Sequence, residues 1–253
     1  MKTIAIVNQK GGVGKTTTAA AIGSGLVNQH KKVLFLDLDA QCSLSYLMQA
    51  DYSGKEPCAM DLMQGTAAAA DAVQVTMQGH VIAACPALAI ADTMITDTGK
   101  EYRIREALEP IAAQYDYCII DTPPALGVLV INALAAADGC IIPAQADLFS
   151  LQGIAQLKKT IQRVTKYCNP GLTVYGIVLT RYADRTLISR EVSAQMEELA
   201  NIMQTKLYNT RIRECTAIKT AQYLREPIFT HAPRSNASKD YAALIDEIQK
   251  GEA

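Results

Sequence analysis

Two hydrophobic rhythms alternate along the chain. Short apolar runs rich in β-branched residues recur at Ile4 to Val7, Lys32 to Asp39, Val81 to Pro86, Tyr115 to Asp121, Gly139 to Pro143 and Leu172 to Thr180. Runs of this kind, apolar at successive positions rather than at every second one, predict strands covered on both faces. Between them lie segments with helical spacing: Thr16 to Leu26, Glu101 to Gln114, Leu129 to Ala136, Leu151 to Tyr167, Ser189 to Gln204 and Ser238 to Gln249. In the second of these, Ile104, Leu108 and Ile111 share one face, with charges between them. Strand and helix alternating to the end predict an α/β fold, a doubly wound and mostly parallel sheet with helices on both faces. Residues 51–80 are the least legible part; Gly54 to Pro57 suggest a turn and Ala67 to Val73 a short helix. No repeat, low-complexity tract or linker interrupts the pattern, so residues 1–253 are expected to form a single domain.

Composition narrows the class. With 253 residues, 49% of them hydrophobic, the chain can build a complete core. No window offers about 18 uninterrupted apolar residues, so no membrane span is expected. A strand begins almost at once, with no targeting segment before it, which makes the cytoplasm the expected address. The seven cysteines are scattered without a C-x-x-C pair, and Cys118 and Cys140 fall within apolar runs. That pattern predicts small core residues, neither a metal site nor a disulfide framework. Charge is uneven: residues 1–150 hold nine Lys and Arg against fifteen Asp and Glu, a net of −6, and residues 151–253 hold fifteen against ten, a net of +5. The second half is therefore expected to present a basic surface.

The densest chemistry is Gln9-Lys10-Gly11-Gly12-Val13-Gly14-Lys15-Thr16-Thr17, set between the first strand and the first helix. Three glycines in four residues let the backbone approach a phosphate closely with its N–H groups inward, and the helix N-terminus adds partial positive charge at the same point. Lys15 is placed to reach β- and γ-phosphates, and the Thr16 hydroxyl to ligate Mg²⁺. This is a P-loop with two departures: Gln9 stands where the first glycine would fall, and a second lysine, Lys10, follows it. The predicted nucleotide-binding set is Lys10, Gly11, Gly12, Val13, Gly14, Lys15, Thr16 and Thr17.

Three carboxylates close apolar runs: Asp37, Asp39 and Asp121. An apolar run ending in Asp is the arrangement that helps hold Mg²⁺ at a bound nucleotide, directly or through water. Asp121 fits it, followed by the rigid Thr122-Pro123-Pro124. Asp37 and Asp39, two apart on an extended segment, point the same way; one would organise the Mg²⁺ shell and the other orient the attacking water. Thr16, Asp37 and Asp121 are thus the candidate metal residues, and Lys10, Lys15 and Asp39 the candidate catalytic ones.

Taken together, these motifs resemble the ParA/Soj family of partition ATPases, whose P-loop carries the extra lysine. Leu36-Asp37-Leu38-Asp39-Ala40-Gln41, Ile120-Asp121-Thr122-Pro123-Pro124, Ile142-Pro143-Ala144-Gln145, Leu151-Gln152-Gly153 and Leu179-Thr180-Arg181 match in order and spacing, with Ala40 where the family usually has proline. The resemblance implies a switch: monomers bind Mg·ATP and form a homodimer in which Lys10 of each reaches the other's phosphates. In this class the dimer binds double-stranded DNA without sequence preference, and a ParB-like partner stimulates otherwise slow hydrolysis. Asp39 matches the water-orienting carboxylate and Asp121 the Walker B residue. Arg185 matches a DNA-contacting arginine; a second aligns near Ala217, and Arg211, Arg213 and Lys219 stand close enough to replace it. A positioning ATPase for a non-DNA cargo would share the same site. A MinD-like membrane-cycling ATPase should end in a basic amphipathic helix, whereas Asp240 to Lys250 is acidic or neutral on its polar face.

Overall fold

The apolar runs become strands because neither face of them meets water. The computed structural model describes residues 1–183 and 187–251, with the backbone alone for 187–190. Seven strands form one sheet: β1 (Lys2–Ile6), β2 (Val33–Asp37), β3 (Val73–Thr76), β4 (Gly79–Ile82), β5 (Tyr117–Asp121), β6 (Gly139–Ala144) and β7 (Thr173–Leu179). Their order is β3-β4-β2-β5-β1-β6-β7, parallel throughout except for the β3–β4 pair. This is the expected doubly wound α/β fold.

Side-chain alternation divides each strand between two cores. Ile4, Ile6, Phe35 and Ile119 face α1 (Lys15–Asn28) and the Asn236–Lys250 helix, through Ile22, Leu26, Tyr241 and Leu244. Ala5, Leu34, Leu36, Cys118, Ile120 and Cys140 face the opposite layer, through Leu62, Ile104, Ala133 and Leu157. Cys118 and Cys140 are therefore core residues, as expected. Burial without a polar partner pushes both thiols up to about 12, and all seven cysteines are free.

Register carries the fold's consequence for function. Asp121 sits opposite Ile6 on one side and Asp37 on the other. The carboxyl ends of β1, β2 and β5 thus stop at one level, beside the point where strand order reverses about β1, which is where open α/β sheets bind ligands.

Departures from the expected elements cluster where local signals are short. The segment expected to be helical over Ala67 to Val73 holds only the Ala69–Ala72 turn and then enters β3. A hairpin through Met77 and Gln78 pairs β3 with β4 at the sheet edge. The edge strand β3 is four residues long and none of them is fully buried, so it leaves no apolar run to read, whereas β4 overlaps only the start of the expected Val81 to Pro86 run. Glu101 to Gln114 is a helix broken into 3₁₀, α and 3₁₀ pieces, because Pro110 at the start of the last piece supplies no N–H to the preceding turn. The Thr216–Leu224 helix has no counterpart among the expected elements.

Close packing of α1 on the sheet depends on Gly23. A Cβ at this position would lie 2.1 Å from Phe35 Cε1 and 2.4 Å from Cζ, in a fully buried ring. Gly23→Ala should therefore destabilise the protein despite its better helix propensity, by roughly 1–3 kcal/mol of overpacking. Urea unfolding should show a lower midpoint with an unchanged slope; a midpoint at or above wild type would mean that the helix shifts without cost.

Candidate functional site

The loop from Gln9 to Gly14 links β1 to α1, and its shape is set by two left-handed glycines. Gly12 has φ 75° and Gly14 φ 87°, a region that side chains with a Cβ rarely enter. Gly14 also stands at the N-cap of α1, whose first N–H groups have no intrahelical partner. A Cβ built on Gly11 or Gly12 meets no atom within 4 Å, so the loop is open on the side from which a phosphate would approach.

The loop's other side is tied down from neighbouring strand ends. Buried Asn8 accepts from the Lys10 backbone N–H (2.9 Å) and donates to Pro143 O (2.7 Å). Gln145 donates to Gly12 O (3.1 Å), and the Thr180 hydroxyl to Val13 O (2.8 Å). With these carbonyls turned outward and held, the loop keeps one shape before any ligand arrives. Sequence reasoning did not place these residues in the site. The signal was present, because Gln145 and Thr180 belong to motifs that follow the β6 and β7 runs.

Lys15 and Thr16 open α1, as their position after the glycines predicts. Lys15 is 7% exposed, with Nζ 3.4 Å from Lys10 O. Burial holds its pKa below the ordinary lysine value, while Asp121 and Asp39 pull it back up. The Thr16 hydroxyl donates to Asp121 Oδ2 (2.6 Å), joining two of the three expected Mg²⁺ residues across 105 positions of chain. Among the described residues no cluster of three or more His, Cys, Asp or Glu side chains could hold a metal. A hydroxyl beside a single carboxylate, with phosphate oxygens and water completing the shell, is the donor set that suits Mg²⁺.

The three carboxylates differ in what they are free to do. Asp37 is fully buried: Oδ1 accepts from Asp39 N (3.0 Å), and Oδ2 from the backbone N–H and hydroxyl of Ser45 (2.8 and 2.7 Å). It thereby clamps the loop bearing Asp39 to α2 (Ser43–Leu47). Burial pushes its pKa up to about 6, with the Ser45 and Asp39 donors opposing the shift. Asp121 is raised as well, first by burial and then by Asp37, against the Thr16 hydrogen bond and Lys15. Asp39 is half-buried and, among the described residues, accepts only from the Gln41 backbone, through Oδ1 (3.0 Å). It has the freedom that a water-orienting group needs.

Lys10 lies at the rim. Its Nζ is 2.5 Å from Asp147 Oδ2, and its side chain is 27% exposed. Beside the loop a small open cleft runs along Gly14, Thr17, Thr180, Ile212, Cys215 and Ile218.

The expected DNA residues are more divided. Arg185 lies outside the described residues. Arg213 is held by Asp240 through two side-chain bonds (3.0 and 2.6 Å), so its guanidinium is already engaged. Arg211 donates to the Tyr182 hydroxyl (2.7 Å) and stacks over that ring at 4.7 Å. Lys219 is 71% exposed and 3.8 Å from Glu214, the most available of the three.

Asp37 yields a pH test on the protein free of nucleotide and Mg²⁺. Its folded pKa exceeds the unfolded value, so its contribution to stability is full below about pH 4 and is lost as pH rises through about 6. Stability of Asp37→Asn relative to wild type should therefore improve from acid to neutral pH, by roughly 1–3 kcal/mol. Urea midpoints of both proteins at several pH values check this, and a pH-independent difference would contradict it.

Residues 1–174 match the family model described as an AAA domain. The chain is 36% identical over 250 residues to the sporulation initiation inhibitor protein Soj of Bacillus subtilis, with 98% of each chain covered. Among solved structures it is similar to cobyrinic acid a,c-diamide synthase from Mycobacterium smegmatis with bound ADP and magnesium (31% identity, TM-score 0.83, 97% and 93% of the two chains). It is similar too to an ATP complex of Cyanothece McdA (25% identity, TM-score 0.87, 100% and 96%).

Proposed function

The chain belongs to the ParA/Soj family of P-loop ATPases, and on that premise we propose that it is a partition ATPase that segregates chromosome, plasmid or mobile-element DNA. ATP and Mg²⁺ are its cofactors, in keeping with the nucleotide and magnesium of similar structures.

The observation that carries the reading is the division of labour between two lysines five residues apart. Lys15 is buried beneath its own loop, where it can serve only its own nucleotide. Lys10 stands on the rim, where an approaching second subunit could receive it. In the proposed cycle the loop N–H groups and Lys15 hold the β- and γ-phosphates, and Thr16 with Asp121 holds Mg²⁺. Asp39 orients the attacking water. Lys10 of a partner copy neutralises charge on the transferred phosphoryl group, the part an arginine finger plays in other NTPases. Hydrolysis, slow until a ParB-like protein stimulates it, returns the monomer.

DNA binding by the dimer is the outer part of the proposal, supported by the basic second half of the chain, by exposed Lys219, and by Arg185 at the family's position. A positioning ATPase for a non-DNA cargo, with the nucleoid only as its track, would share the nucleotide site and the DNA surface, and the identity of the stimulating partner separates the two. A membrane-cycling role is disfavoured, because Tyr241, Leu244, Ile245 and Ile248 of the Asn236–Lys250 helix are buried on the sheet and leave no apolar face for lipid. No helix among the described residues is long and apolar enough to cross a membrane.

Three substitutions test the nucleotide cycle. Lys15→Ala should weaken Mg·ATP binding in calorimetry by roughly ten- to a hundredfold, the loss of a charge-assisted hydrogen bond. Lys10→Ala should keep ATP binding while losing the ATP-dependent dimer in light scattering. Asp39→Ala should keep ATP and dimer but lose turnover. An unchanged dimer in Lys10→Ala would remove the cross-subunit role.

For DNA, fluorescence anisotropy on two unrelated duplexes should give equal affinities that fall with salt. Arg185→Ala with Lys219→Ala should weaken both alike, and the log–log salt slope should become shallower by about 0.9 for each phosphate no longer neutralised. No binding by the wild-type ATP dimer would mean that this protein does not use DNA.

A further inference from the structure

Lys10 already has a partner within its own chain. Its ammonium meets Asp147 Oδ2 at 2.5 Å, across 137 positions of sequence, with the two side chains 27% and 34% exposed. The other oxygen of the same carboxylate, Oδ1, accepts from Ser150 N at 2.8 Å and caps the Leu148–Tyr167 helix. Partial burial pushes the Asp147 carboxyl up, but the Lys10 and Ser150 hydrogen bonds outweigh it and hold the group below the usual carboxylate range. Directly after the cap, Leu148 and Phe149 are 64% and 73% exposed, and Lys10 Nζ is 6.0 Å from the Phe149 ring centre. The rim of the nucleotide loop therefore adjoins an uncovered apolar pair.

An ammonium held by its own chain's carboxylate is not free to meet another subunit's phosphates. We propose that Asp147 is a positioning residue that latches Lys10 in the monomer, and that two such latches open when two Mg·ATP-loaded copies associate. The inference rests on the cross-subunit role of Lys10. The competing occupants are one carboxylate in the same chain and a triphosphate with its γ-phosphate in the other. A nucleoside diphosphate lacks the group that would draw Lys10 across, so the latch stays closed with ADP. After hydrolysis, recapture of Lys10 by Asp147 favours separation of the subunits.

Because each oxygen of Asp147 has its own task, one substitution separates them. Asn caps helices about as well as Asp, so Asp147→Asn keeps the acceptor for Ser150 N but puts an NH₂ group against the lysine. A partly exposed pair of this kind biases its equilibrium roughly two- to fivefold. Two latches open per dimer, so the dimer Kd with Mg·ATP should fall roughly 4- to 25-fold in this variant.

Sedimentation equilibrium on the full chain with Mg·ATP and with Mg·ADP would measure it, for wild type, Asp147→Asn, Asp147→Glu, Lys10→Ala and the Lys10→Ala/Asp147→Asn double variant. The expected result is a tighter ATP dimer in Asp147→Asn, near wild-type behaviour in Asp147→Glu, and a double variant that stays as monomeric with Mg·ATP as Lys10→Ala. Competitive labelling of amines with acetic anhydride, read at Lys10 by mass spectrometry, adds a readout that loss of a cap would not move. Lys10 in the nucleotide-free monomer should label several-fold faster in Asp147→Asn. A wild type that stays monomeric with Mg·ATP would overturn the cross-subunit role and the latch with it. A wild type that dimerises, with the Asp147→Asn Kd and labelling rate unchanged, would overturn the latch alone. So would recovery of an ATP dimer on adding Asp147→Asn to Lys10→Ala.

Discussion

Lys15, Asp37 and Asp121 lie with almost no solvent contact at the adjoining carboxyl ends of β1, β2 and β5, and the rest of the molecule is arranged around that burial. Two neighbouring carboxylates and a lysine in a low dielectric do not settle as three full charges. Asp37 and Asp121 are driven towards their neutral forms and Lys15 is weakened as a base. Such a group is costly in isolation. In the proposed cycle a divalent cation beside Asp121 and phosphates beside Lys15 would offset this electrostatic imbalance.

That imbalance is tolerable because the surroundings are rigid and dry. Parallel strands covered on both faces supply two separate cores, so the ends of β1, β2 and β5 cannot drift relative to one another. Ser45 holds Asp37 through two donors and in turn accepts from Ala84 N (2.9 Å), which fastens the Asp39 loop to the segment after β4. Asn8, Gln145 and Thr180 do the same for the phosphate loop from the β6 and β7 side. Preorganised donors act without reorganisation when charge develops, which is the usual source of catalytic advantage in phosphoryl transfer.

Buried and rim groups then divide the tasks. In the proposed cycle buried groups would bind the nucleotide and the metal within one subunit. Rim groups, Lys10 and Asp39, retain exposure and would serve the steps that need a second body, a partner subunit or a water. Lys10 is the more constrained of the two, being exposed enough to leave yet paired with Asp147 while it waits.

The sequence by itself determined the elements whose causes are local. Gly12 and Gly14 announce left-handed backbone, the apolar runs announce buried parallel strands, and Asp121 at the end of one of them announces a carboxylate beside the phosphate loop. Each follows from steric or periodic rules acting within a few residues. The edge strand β3 escaped because its four residues carry too short a pattern. The break at Pro110 fell inside a segment whose apolar spacing alone reads as continuous helix. At the site, composition showed a basic second half, yet only packing decided that Asp240 occupies Arg213 while Lys219 stays open to solvent. Sequence showed Lys10 as an extra lysine; only the crossover from β6 into the Leu148–Tyr167 helix brought Asp147 to it. The physical reason is range. Backbone sterics and hydrophobic periodicity act over a few residues, whereas the counter-charge that an ammonium meets is set by which chain ends the sheet order places side by side.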